Sequence, residues 1–172
     1  MFEPLIAAAV IAADRRRTDA LLLAQEQQQG AGAPQRSVLE PIVRVLDAVN
    51  RGERFAVSRL PPADTRELRL EQSFRPVYLR GLSYLSAGDP LNAAGEFQRI
   101  LDHRGSEPLS PLYPLAHVQQ ARAFVRMGEQ AKARKAYQDF FALWKSADPD
   151  IPILRDAREE YARLDDARQE LR

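Results

Sequence analysis

Tyr84, Gly88, Ala93, Phe97 and Ile100 have counterparts 40 residues further along the chain, at Phe124, Gly128, Ala133, Tyr137 and Phe140. Gln98 and Gln138 match as well. Each copy reads as an aromatic residue, glycine at +4, alanine at +9, an aromatic at +13 and a large apolar residue at +16. A period of this length marks a stack of repeated supersecondary units. The glycine closes a first helix in the left-handed conformation. The alanine sits where the second helix crosses closest to the first. The aromatic, one turn later, fills the space between neighbouring pairs. One hairpin cannot bury both of its faces, so hairpins of this kind must stack. A third, weaker copy centres on Gly52, 36 residues before Gly88, with Ala48 and Val57 at the matching −4 and +5 positions. A degenerate fourth hairpin is expected over 1–29, with Ala8, Ile11, Ala20 and Ala24 in register and Arg15 where the turn glycine would stand.

Strand signals are scarce and helical spacing is common, so the chain reads as all-α. Helices are expected near 3–14, 17–29, 38–50, 53–60, 64–73, 75–87, 90–102, 112–127, 130–145 and 151–171. GAGAPQ makes 30–37 a linker, and 38–150 forms an array with hairpins at about 38–60, 75–102 and 112–145. In SAGDPL, Gly88 suits a left-handed closure, Asp89 an N-cap and Pro90 the first helical position, which joins two antiparallel helices tightly. Pro61 and Pro62 stop the preceding helix. The last helix, 151–172, carries Leu154, Ala157, Tyr161, Leu164 and Leu171 at spacings of three and four, with Arg168 breaking the seam. It reads as a cap on the exposed end of the array, with a homodimer seam as the second reading.

Composition narrows the chemistry. Lys plus Arg is 25 and Asp plus Glu is 24, a net charge of +1 that argues against a nucleic-acid face built on bulk charge. The chain has no cysteine, which excludes disulfides, thiolate metal sites and cysteine nucleophiles. The longest apolar run, Leu5 to Ala13, falls short of the roughly 20 residues a bilayer helix needs, so no membrane span is expected. No GxSxG, P-loop or dinucleotide fingerprint occurs. His117 falls at a packing position and His103 at a helix end, where a cation is favoured. Glu159, Glu160, Asp165 and Asp166 lie among arginines 155, 158, 163 and 168 and read as a solvated, ion-paired face. Trp144 reads as packing between repeats. No cofactor, metal or catalytic residue emerges, and the chain reads as non-catalytic.

Gly81, Tyr84, Gly88, Ala93 and Phe97, and again Ala121, Phe124, Gly128, Ala133 and Tyr137, resemble the tetratricopeptide repeat. The six extra residues per period fall in the loop-like HRGSEPLSPLYP. The stretches LDHRG and DFFALWKSADPDIPIL are similar to the tetratricopeptide region of certain bacterial membrane-linked serine/threonine kinases and winged-helix regulators, over about Ser37 to Leu164. Neither a kinase nor a DNA-binding domain accompanies them in this sequence. The resemblance implies a right-handed solenoid of antiparallel helix pairs that binds a protein or peptide partner along a concave face. Its register places Ile42, Leu46 and Asn50, then Arg75, Tyr78, Leu82 and Ser86, then Val118, Arg122 and Arg126 on that face. The lysine and asparagine clamp of chaperone-binding members is replaced by Ile42 and Leu46. The arginines with Tyr78 imply an acidic or aromatic partner segment. The alternative role is a detached sensor region of a signalling kinase or transcriptional regulator. The resemblance fits a cytoplasmic location for a free-standing scaffold and an extracytoplasmic one for a piece of a membrane-linked protein.

Overall fold

The computed structural model describes residues 39–62 and 74–169. The helices expected over 3–14, 17–29 and 64–73, the 1–29 hairpin, the 30–37 linker and Leu171 lie outside the described residues. Among those described, the regular elements are all helical: α1 (Leu39–Asn50), α2 (Arg75–Ala87), α3 (Pro90–Asp102), α4 (Leu112–Arg126), α5 (Gln130–Leu143) and α6 (Pro152–Gln169), with short 3₁₀ segments at Arg54–Arg59 and Arg104–Ser106. None of the described helices is long and apolar enough to cross a membrane.

The three repeat glycines all have positive φ: Gly52 at +102°, Gly88 at +86° and Gly128 at +76°. The backbone bonds around them are alike. The amide after each glycine donates five residues back, from Glu53 to Ala48 at 3.0 Å, from Asp89 to Tyr84 at 2.9 Å and from Glu129 to Phe124 at 2.9 Å. Each glycine amide donates three residues back, to Val49, Leu85 and Val125. This paired closure satisfies carbonyls that the helix end would otherwise leave open, and it requires the left-handed residue. Asp89 caps α3 as its sequence suggests, accepting from the Asn92 amide at 3.1 Å, with Pro90 following.

The two strong copies superpose their repeat positions onto buried sites. Ala93 and Ala133, Phe97 and Tyr137, and Ile100 and Phe140 are all fully or almost fully buried. The close crossing is tightest at Gly81. A Cβ there would lie 2.7 Å from Cε1 of Phe97, whose ring is fully buried and meets Tyr78 edge-on at 5.6 Å between centroids. The weak copy departs from the pattern. Its second helix is the six-residue 3₁₀ segment Arg54–Arg59, with Ala56 buried in place of Val57 at the expected register. Pro61 excludes the α conformation from Leu60, whose ψ is 132°, so too few residues separate the glycine turn from the prolines for an α-helical ladder. Helix α5 ends at Leu143, two residues before the expected boundary.

Burial is divided among successive clusters. Ile42, Val43 and Leu46 of α1 meet Leu79 of α2. Helices α2, α3 and α4 share a larger cluster, and α4, α5 and α6 another. Phe124, Trp144 and Ile153 pack against both, so Trp144 joins adjacent units. Its ring lies 4.9 Å from that of Phe140. Leu154, Ala157 and Leu164 of α6 are buried on α4 and α5.

One buried ion pair has no signature in the repeat pattern. Arg80 is 1% exposed, with Nε 3.1 Å from Glu96 Oε2 of α3, and its Nη1 donates to the Pro61 carbonyl at 3.3 Å. Arg99 donates to the same carboxylate oxygen at 3.0 Å. Ion pairs so deep are costly to break from one side.

Two glycines test this packing in opposite directions. Gly81→Ala gains about 1 kcal/mol of helix propensity but forces the buried Phe97 ring to move, and overpacking costs typically 1–3 kcal/mol. A net loss of up to about 2 kcal/mol in urea denaturation is expected. Gly95 lies within α3, is exposed and has nothing within 4 Å of its virtual Cβ. Gly95→Ala is expected to stabilise the chain by about 0.5–1 kcal/mol. Equal effects of the two substitutions would contradict the crossing geometry.

Candidate functional site

The first helices of the hairpins put one face each onto a common concavity of about 580 Å³. Leu46 and Asn50 reach it from α1, and Leu82, Leu85 and Ser86 from α2. Gln119, Arg122, Val125 and Arg126 come from α4, at the i, i+3, i+6 and i+7 spacing of a single helix face. Tyr137 of α5 and Glu160, Arg163 and Leu164 of α6 complete the wall.

Of the residues expected on a concave face, Leu46, Asn50, Leu82, Ser86, Arg122 and Arg126 line this space together. Ile42, Tyr78 and Val118 are at most 1% exposed and support the wall from behind. Arg75 begins α2, and it is not among the lining residues.

Arg122 is held by the last helix. Its Nε donates to Glu160 Oε2 at 2.9 Å and its Nη2 to Oε1 at 2.9 Å, a two-pronged contact. The Tyr137 hydroxyl donates to the same Glu160 Oε2 at 2.6 Å. Nη1 of Arg122 reaches Gln119 Oε1 at 3.5 Å, and Gln119 Nε2 donates to the Tyr78 hydroxyl at 3.3 Å. The network thus runs from α2 through α4 and α5 to α6. Two-pronged arginine–carboxylate contacts add geometric definition to charge attraction. Arg134 Nη2 donates to the Leu164 carbonyl at 2.9 Å and Gln138 Nε2 to the Tyr161 hydroxyl at 3.0 Å, fastening the same helix further.

This corrects the picture of Glu160 as part of a solvated face. Its signal was the position itself: three residues after Ala157 and four before Leu164, it stands at the edge of the apolar seam. A carboxylate there needs a partner on the surface it packs against. Tyr137 carried a second signal. It replaces Phe97 of the earlier copy, and a hydroxyl on a buried ring must find a hydrogen bond.

The electrostatics follow from this network. Burial pushes the Tyr78 phenol up to about 12, against smaller opposing effects of the Gln119 hydrogen bond and the Arg122 charge. Burial raises Tyr137 too, reinforced by its hydrogen bond to Glu160 and that carboxylate's charge. Burial works against the Arg122 guanidinium, but the hydrogen bonds and charge of Glu160 outweigh it and hold the cation more firmly. Three arginines and one carboxylate line the concavity, and its formal charge is therefore positive.

Both histidines take packing or capping roles. His117 is half-buried, edge-on to Tyr113 at 5.4 Å, and burial lowers its affinity for a proton. His103 Nδ1 lies 2.8 Å from the Arg99 carbonyl at the end of α3.

The raised phenols set an alkaline limit on stability. Below pH 10, the ordinary tyrosine value, both phenols are neutral folded or unfolded, and the stabilisation is complete. Above it the unfolded chain releases protons that the folded chain retains, so stability falls as pH rises toward 12. The expected slope is about 1.4 kcal/mol per pH unit for each phenol in urea titrations. Tyr78→Phe is expected to remove one phenol's share, and an unchanged slope would contradict the burial assigned to Tyr78. Comparison with family models, curated proteins and solved structures gives no match, so the reading of this face rests on its own geometry.

Proposed function

We propose that the chain is a non-catalytic interaction module, a right-handed solenoid of tetratricopeptide-like hairpins whose concavity binds a peptide segment of another protein. The observation that carries this reading is the convergence of α1, α2 and α4 on one concavity at the expected positions Leu46, Leu82, Ser86, Arg122 and Arg126. The repeated glycine closures support it, because they give each first helix the same relation to its turn. A volume of about 580 Å³ falls in the range of pockets that enclose a ligand's side chains. The mixed lining suits a peptide: leucines and valine supply apolar contact, while Asn50, Ser86, Gln119 and the arginines supply hydrogen bonds.

The alternative, a detached sensor region of a signalling protein, draws on LDHRG and DFFALWKSADPDIPIL. These segments build the end of α3 and the passage from α5 to α6. Under that reading too, the concavity is the face that meets a partner.

Ser86 gives a clean test because its side chain is exposed and lines the concavity outside the buried clusters. Ser86→Trp is expected to leave the unfolding transition within about 0.5 kcal/mol of wild type, as surface changes generally do. On a peptide array it is expected to lose the signals that wild type gives. The same set of signals from both proteins would count against the concavity as the binding face.

A further inference from the structure

We infer that the selective element of this face is a pair of arginines from different helices, Arg126 of α4 and Arg163 of α6, and that the occupant is a peptide segment with acidic residues beside an aliphatic side chain. The inference rests on the reading of the concavity as a peptide-binding face, and it names what that face selects.

The three arginines are not equivalent. Arg122 spends two nitrogens on Glu160, and its charge is balanced there. Arg126 and Arg163 instead donate to backbone carbonyls, Arg126 Nη1 to Leu85 and Arg163 Nε to Glu159 at 3.3 Å. A carbonyl orients a guanidinium without neutralising it. Among the described residues no carboxylate lies within ion-pair distance of either one. Both are exposed and both line the concavity. Two anchored, unbalanced cations with free nitrogens suit carboxylates, which guanidinium groups grip by paired hydrogen bonds.

The floor decides between kinds of anion. Leu82 is half-buried and Val125 41% exposed in the same concavity, above the buried Leu46 and Leu85, so apolar surface faces solvent beside Arg126. An inorganic anion or a sugar–phosphate backbone leaves such a surface wet. A side chain of leucine type covers it, and excluding water there strengthens the arginine contacts at the edge. Helix α6 is therefore part of the recognition surface as well as a cover for the α4–α5 cluster. Glu160 positions it, and through it Arg163, by holding Arg122.

The test uses the full chain and fluorescein-labelled short peptides carrying Glu and Leu in all orders, with three controls: Gln in place of Glu, Glu alone, and inorganic phosphate as competitor. Binding is read by anisotropy, and folding of each variant by circular dichroism. Glu–Leu peptides are expected to bind wild type, and Arg126→Ala and Arg163→Ala are each expected to weaken them about tenfold, as the loss of a hydrogen bond to a charged group does. Wild-type affinity in Arg163→Ala beside a loss in Arg126→Ala would remove α6 from the site and overturn this inference while leaving the groove reading standing. Equal binding of the Gln–Leu peptides, or of the Glu-only peptides, or displacement by phosphate, would also overturn it. Binding of no peptide to wild type would defeat the groove reading itself.

Discussion

An aromatic ring set over a small residue of the preceding helix is the contact from which the rest of the architecture follows. Phe97 lies against Gly81 with no room for a methyl group between them. Tyr137 occupies the same repeat position opposite Ala121, and both are buried in one cluster. This contact sets how closely paired helices approach, and the left-handed glycine sets the turn that lets them do so. With those two constraints repeated, the first helices share one side of the molecule and the concavity appears as a consequence of their alignment.

On the aromatic side of this contact the second copy differs from the first by one oxygen, and that oxygen links fold to site. The Phe97 ring ends in the core, whereas the Tyr137 hydroxyl reaches Glu160, which also holds Arg122. The same position thus packs the hairpin in one copy and fastens the closing helix in the other. The outer face of α6 is polar, with Arg155, Asp156, Arg158 and Glu159 exposed.

What was legible in the sequence was what local chemistry dictates. Gly88, Asp89 and Pro90 announce a helix end and a helix start within three residues, and the backbone there follows suit. The buried positions of α3 and α5 were readable because the repeat is written twice. Pairings across distant segments were not readable in that way. Arg80 looks like any arginine of a helix until Glu96 and the Pro61 carbonyl are brought to it by the hairpin and the proline turn. Arg122 lines the concavity with other residues of the repeat's first helices, but its balance by a residue 38 positions away depends on how α6 lies on α5. The segment after Gly52 is helical and stops before Pro61 and Pro62 as those residues suggest, but it is 3₁₀, because few residues separate the glycine turn from the prolines.

The fastening of α6 to α4 completes the wall of the concavity. A double-mutant cycle with Arg122→Ala, Glu160→Ala and the double variant, read by urea denaturation, measures that fastening alone. Contacting charged residues in one network couple by roughly 0.5–3 kcal/mol, and a coupling of about 1–2 kcal/mol is expected for this partly exposed pair. Additive losses, with a coupling near zero, would contradict the claim that Glu160 holds the closing helix in place through Arg122.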